Sequence, residues 1–140
     1  MDVSNSFNIV NSGGNKLVLN NGTSYDTNRR FGVSIGNYEI HNVSSSHPIA
    51  FLNNDISDIV TYDGSFVETD TVGGISYNFY SGTVQLVIEQ DFTSTLSALS
   101  YYCANHGYMG GQDKIVFSSL CDGKTPNYYI ECLDISNSFN

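Results

Sequence analysis

Three soft or borderline metal donors stand within seven residues of one another: Cys103, His106 and Met109, each three positions after the last, in the stretch Tyr101-Tyr-Cys-Ala-Asn-His-Gly-Tyr-Met-Gly-Gly111. Glycines at 107, 110 and 111 let the backbone turn where such donors need it to. A thiolate, an imidazole and a thioether suit a centre that cycles between Cu(II) and Cu(I), and that centre requires one more imidazole. Zinc would accept the thiolate and imidazoles but favours a stronger fourth donor than a thioether. Iron–sulfur clusters need more thiolates than the three cysteines supply, and three histidines are too few for a multinuclear copper oxidase.

The elements around these donors read as strands. Ala98–Cys103 places Leu99, Tyr101 and Cys103 on one face, so the thiol arrives buried. The missing imidazole must come from His41 or His47. In Asn37–Val43, Tyr38 and Ile40 form the apolar face and His41 joins Asn37 and Glu39 on the polar one. His47 instead shares a face with Ile49 and Phe51 at the start of His-Pro-Ile-Ala-Phe-Leu52, which points its ring inward. His47 is therefore the candidate and His41 the reserve.

Elsewhere the chain alternates with period two between Gly, Asn, Asp and Ser punctuation, and no window sustains an apolar 3.6 period for three turns. Further strands are expected over Phe7–Val10, Lys16–Leu19, Gly32–Ile35, Pro48–Leu52, Ser57–Tyr62, Ile75–Tyr80, Thr83–Gln90, Lys114–Ser118 and Tyr128–Leu133, with one helical turn over Phe92–Leu99. So many short strands predict an all-β sandwich or barrel. The 140 residues fit one domain. Residues 119–140 are expected as a C-terminal hairpin extension that would link to a neighbouring copy.

Composition excludes several functions. A net charge of −9, with only five Lys and Arg, argues against a nucleic-acid partner. No apolar run reaches the ~20 residues that span a bilayer, and the first residues lack the basic and apolar regions of a signal peptide. No carboxylate pair, Ser/His/Asp order or phosphate loop suggests an enzyme. Asp55, Asp58 and Asp63 lack a calcium-loop spacing and read as turn formers.

Three cysteines leave one over if Cys121 and Cys132 pair across the turn-rich Asp-Gly-Lys-Thr-Pro-Asn segment, and the one left over is Cys103. Asn21-Gly-Thr and Asn42-Val-Ser are glycosylation sequons. The ends carry a repeat: Asp2-Val-Ser-Asn-Ser-Phe-Asn8 returns as Asp134-Ile-Ser-Asn-Ser-Phe-Asn140, differing at one position. It predicts either a module of a head-to-tail array or terminal strands with similar chemistry.

Cys103-Ala-Asn-His106-Gly-Tyr-Met109 resembles the ligand loop of the cupredoxins, the small blue copper proteins, in its short amicyanin-like form. The preceding Tyr101-Tyr102 is similar to the aromatic strand that delivers the cysteine in that family, and His47 matches the remaining ligand. The resemblance implies a Greek-key β-sandwich holding one type 1 copper. Cys103, His47 and His106 would be equatorial, Met109 axial, and His106 the solvent-side exit for an electron passed to a redox partner protein. Pro48 departs from the family pattern, in which an Asn after the first histidine ties the two ligand loops together. His47-Pro-Ile-Ala-Phe51 and Tyr102-Cys-Ala-Asn-His-Gly-Tyr-Met-Gly-Gly111 also resemble domains repeated in viral and bacterial structural proteins. That likeness, with the terminal repeat, implies an extracellular or virion-surface filament whose copies contact one another through their terminal segments, with copper structural or absent.

Overall fold

A computed structural model describes residues 8–11, 15–18, 30–54, 56–118 and 130–133. They form ten strands and, among the described residues, no helix. The strands are β1 (Asn8–Asn11), β2 (Asn15–Val18), β3 (Arg30–Val33), β4 (Gly36–Val43), β5 (Ile49–Leu52), β6 (Val60–Val72), β7 (Ile75–Ile88), β8 (Ser100–Cys103), β9 (Ile115–Phe117) and β10 (Ile130–Cys132).

The larger sheet is built on β7. One edge of β7 pairs with β6 from Ile75 to Ile88, and the other pairs with β4 and, at Tyr80, with β5. β8 then adds to β5. Facing this sheet, β3 lies between β9 and β10 and runs parallel to both. β1 and β2 make a separate hairpin. Two backbone hydrogen bonds between Leu99 and Ile115 (2.6 and 3.0 Å) connect the approach to β8 with β9.

The apolar side chains explain the layering. Tyr38 and Ile40 of β4, Ile49 and Phe51 of β5, and Val84, Leu86 and Ile88 of β7 point into one core. Phe31 and Val33 of β3, Ile115 of β9, Leu17 of β2 and Leu133 close it from the other side. Alternation along β4 and the end of β7 leaves Glu39, His41 and Gln85 outside the core. The architecture is the expected all-β sandwich.

β5 departs from simple alternation, because Ala50 is buried as well as Ile49 and Phe51. Its outer side carries a second, smaller cluster. There Ala50 meets Tyr77 and Phe79 of β7, with Leu52, Tyr62, Val72, Ile75 and Tyr102 packed around them. The β6–β7 hairpin thus covers β5, so a strand buried on both faces reads as the continuous apolar run Ile-Ala-Phe-Leu.

The hairpin corrects three sequence expectations. β6 continues ten residues past Tyr62 to Val72, and the strands expected over Ile75–Tyr80 and Thr83–Gln90 are one strand, ending at Ile88 and interrupted only by register shifts. Asp63-Gly64 reads as a turn, yet the Asp63 carboxylate accepts the Gly64 N–H (2.9 Å) within the strand. The Phe92–Leu99 turn is present as a single turn, with the N–H groups of Thr95 and Leu96 both donating to the Phe92 carbonyl.

Tyr62, packed edge-on to Phe51 and Tyr80, has its phenol pushed well above its ordinary value of 10.0, chiefly by burial and secondarily by Tyr80 and Tyr77. A raised folded-state value means this stability is complete below about pH 10 and is lost as pH climbs towards the folded value. Tyr62→Phe is therefore expected to flatten the fall in thermal stability above about pH 10. Melts from neutral pH upward check it: equal alkaline slopes in both proteins would refute the assignment.

Candidate metal centre

The strand register brings the two ligand segments together. Ile49 of β5 pairs with Cys103, the last residue of β8. His47, two positions ahead of Ile49, therefore sits beside the loop that leaves Cys103. A turn holds it there, with the His47 N–H donating to the Ser44 carbonyl (3.0 Å). Beyond Cys103 the chain folds back on itself. The Cys103 N–H donates to the Gly107 carbonyl (2.6 Å), and the Gly107 N–H donates to the Cys103 carbonyl (3.0 Å).

Gly107 at φ 76° and Gly110 at φ 84° supply the left-handed turns that closure requires. Met109 adopts φ 45°, a conformation that non-glycine residues hold only when their surroundings impose it. Its surroundings are specific. Met109 is 5 % exposed in the cluster that contains Cys103, and its carbonyl accepts the Leu17 N–H (2.8 Å). The Tyr101 hydroxyl donates to the Leu17 carbonyl (2.6 Å), so β2 clamps the loop from outside.

Three donor atoms converge. Cys103 Sγ lies 3.8 Å from His47 Nδ1 and 3.7 Å from His106 Nδ1, and the two Nδ1 atoms are 3.2 Å apart. Nitrogens about 2.0–2.1 Å and a sulfur about 2.3 Å from one centre, spread trigonally, would be separated by about 3.6 Å (N to N) and about 3.8 Å (N to S). The triangle thus suits one trigonal ion with small movement of the rings. Both histidines present the same nitrogen, and their rings are tilted by 43° with centroids 4.8 Å apart. No other group of three or more His, Cys, Asp or Glu donors converges in this way among the described residues.

Electrostatics act in opposite senses on His47 and Cys103, favouring the metal-binding form of the first and disfavouring that of the second. Burial, and then the neighbouring His106, lower the His47 pKa and favour the neutral imidazole whose lone pair binds metal. Burial raises the Cys103 pKa, with backbone N–H groups of Asn105 and His106 pulling the other way and Glu68 adding to the rise. A cation bound here would displace that thiol proton. Cys103 is fully buried and His106 exposed, so the site reaches solvent through the His106 ring.

The reserve histidine is elsewhere. His41 Nδ1 lies 3.2 Å from Thr83 Oγ1, and its Nε2 is 3.8 Å from a Glu39 carboxylate oxygen. The side chains of Cys121 and Cys132 and the sequon at Asn21 lie outside the described residues, as does the heptapeptide at the C-terminal end.

One side chain that ties the two segments together was not singled out in the sequence. Asn105 Nδ2 donates to the Ser46 carbonyl (3.1 Å), joining the Cys103–His106 turn to the residue before His47. The Ala104 N–H adds a second link, to the Pro48 carbonyl (3.1 Å). With proline following His47, the tie between the loops comes from the opposite loop. The only signal was a short amide side chain between Cys103 and His106. Asn105→Ala should weaken copper binding by about tenfold to a hundredfold, the usual cost of losing an outer support. Competition titration against a chelator measures it, and unchanged affinity would show the tie to be idle.

No protein-family model, curated protein or solved structure matches this chain. The sandwich and its His47/Cys103/His106 cluster, with Met109 buried nearby, are together consistent with a cupredoxin-like metal-binding module.

Proposed function

We propose that this chain binds one copper ion in a type 1 arrangement and passes single electrons to and from a protein partner. The carrying observation is the triangle of Cys103 Sγ, His47 Nδ1 and His106 Nδ1, with sides of 3.7, 3.8 and 3.2 Å. Cys103 supplies the thiolate, His47 and His106 the imidazoles, and Met109 the weak axial thioether. Copper held by such a set alternates between its two oxidation states with little rearrangement.

The chain's own contribution is rigidity and access. Strand pairing at Ile49 and Cys103 fixes the thiol against His47. The clamp from Leu17 and Tyr101 fixes Met109. Exposure of His106 provides the contact through which an electron enters or leaves. A net charge of −9 favours a basic partner, with association slowing as salt rises.

Copper titration monitored by visible absorption and by voltammetry tests the reading. An intense thiolate-to-copper band and a reversible one-electron wave at one ion per chain support it. Copper bound without a reversible wave would sink the electron-transfer function.

A second reading rests on the terminal repeat of Asp2–Asn8 and Asp134–Asn140. It makes the chain a structural repeat of an extracellular or virion-surface array, in which copies join through these segments and copper is structural or absent. Light scattering over a concentration series distinguishes it: ordered assembly that persists in Cys103→Ser supports the array, and a monomer at all concentrations removes it.

A further inference from the structure

Where β6 and β7 pass the end of β5, a cleft of about 280 Å³ opens, lined by Asn53, Tyr62, Tyr77, Asn78 and Tyr80 with three serine and threonine hydroxyls between them. Asn53 is six residues beyond His47 along β5, about 20 Å of extended chain, and none of the three converging metal donors lines the cleft. Among the described residues no charged side chain does so either. We infer that this cleft binds one sugar unit of a neutral glycan, recognised by its apolar ring face and its hydroxyls together.

The lining restricts the ligand's chemistry. Among the described lining residues an ionic ligand would find no countercharge for the hydration it gives up, and the −9 chain repels anions in addition. A purely apolar ligand would strand amides and hydroxyls without partners. A pyranose offers C–H faces to tyrosine rings and hydroxyls to the amides around them, which fits both halves of the wall.

The polar groups are held in place and keep capacity to spare. Asn78 Oδ1 accepts from Thr69 Oγ1 (2.8 Å), and one N–H of its Nδ2 goes to the Tyr80 hydroxyl (3.3 Å). The second N–H of Asn78 and the proton of the Tyr80 hydroxyl remain available to a ligand. Asn53 Nδ2 donates one N–H to the Val60 carbonyl (2.8 Å) and keeps the other. The rings are fixed as well: Tyr62 stands edge-on to Phe51 and Tyr80, at centroid distances of 5.8 and 5.6 Å. Beside Tyr80, Phe66 is 59 % exposed and edge-on to it (6.2 Å), extending the aromatic surface past the cleft for the next sugar unit.

The test is amide-shift mapping by NMR on the isotope-labelled full chain. The probes are glucose, galactose, mannose, N-acetylglucosamine and their short oligomers, with glucuronate as the charged comparison. Saturable shifts confined to Asn53, Thr61, Tyr62 and residues 76–80, with a dissociation constant on the order of 1 mM for at least one neutral sugar, support the inference. Binding should weaken about tenfold in Asn78→Ala, an exposed position where the fold is not at risk, and in Tyr80→Phe, which keeps the ring. No saturable shift with any neutral probe overturns it. So does equal binding of glucuronate, or affinity unchanged in both variants. Copper binding is read separately on the same samples, so failure at one site is distinguishable from failure at the other.

Discussion

Cys103→Ser is expected to abolish the visible absorption of the copper-loaded protein and to lower copper affinity by more than about a hundredfold, beyond the loss of any outer support. The sulfur is the one donor that supplies both a short bond to copper and the electron density for charge transfer, and a serine hydroxyl stays protonated at neutral pH. The metal-free fold should survive. Cys103 is fully buried, the substitution is close in volume, and a small inward movement of the His47 and His106 rings, whose Nδ1 atoms lie 3.8 and 3.7 Å from Sγ, would give a serine Oγ its hydrogen bond. Unfolding of the metal-free variant should stay within about 1 kcal/mol of the parent. Retention of the coloured species in Cys103→Ser would mean that copper binds elsewhere and that the convergence of the three donors is incidental.

Gly111→Ala should produce the largest loss of stability of any single methyl addition in the ligand loop. A Cβ at position 111 would fall 2.5 Å from the Tyr101 carbonyl oxygen and closer still to the Tyr101 ring. That ring is 1 % exposed and its hydroxyl is committed to Leu17, so it has nowhere to go. The Tyr101 N–H also donates to the Gly111 carbonyl (3.1 Å), which pins the two backbones together. Overpacking here should cost about 3 kcal/mol, roughly 10 °C in melting midpoint for a chain of this size. Copper affinity should fall with it, because the displaced segment carries Met109. A midpoint within about 2 °C of the parent would show that the loop yields easily.

Much of the centre was legible in the sequence because it depends on local spacing. Cys103, His106 and Met109 lie on one loop, and period-two alternation turned Cys103 inward, whereas His47, half-buried in a bend ahead of β5, owes its place to a turn through Ser44. The pairing of Ile49 with Cys103 was not legible, since register between distant strands is set by the whole core. The tie from Asn105 to Ser46 depends on that register and was hidden with it. The extent of β6 was hidden for another reason. From Asp63 to Thr71 its side chains are mostly exposed, so Glu68, Thr69, Asp70 and Thr71 show no apolar alternation, and backbone pairing to β7, with the Thr69–Asn78 side-chain hydrogen bond, keeps them extended. β3, β9 and β10 were each expected as strands near their observed positions, but their parallel pairing was not legible, because parallel partners are joined by no short turn.

The position of β3 also has a consequence for how the chain reaches this state. Its neighbours come from residues 115–117 and 130–132, so the chain must close loops of about eighty and about a hundred residues before that sheet exists. The β6–β7 arm needs only the two-residue turn at Gly73-Gly74 and can zip on its own. Substitutions in that arm should therefore slow refolding, whereas Phe31→Leu or Ile115→Val should mainly hasten unfolding. Copper, held beside late-forming contacts, would then act as a latch on the finished molecule rather than as a seed for it.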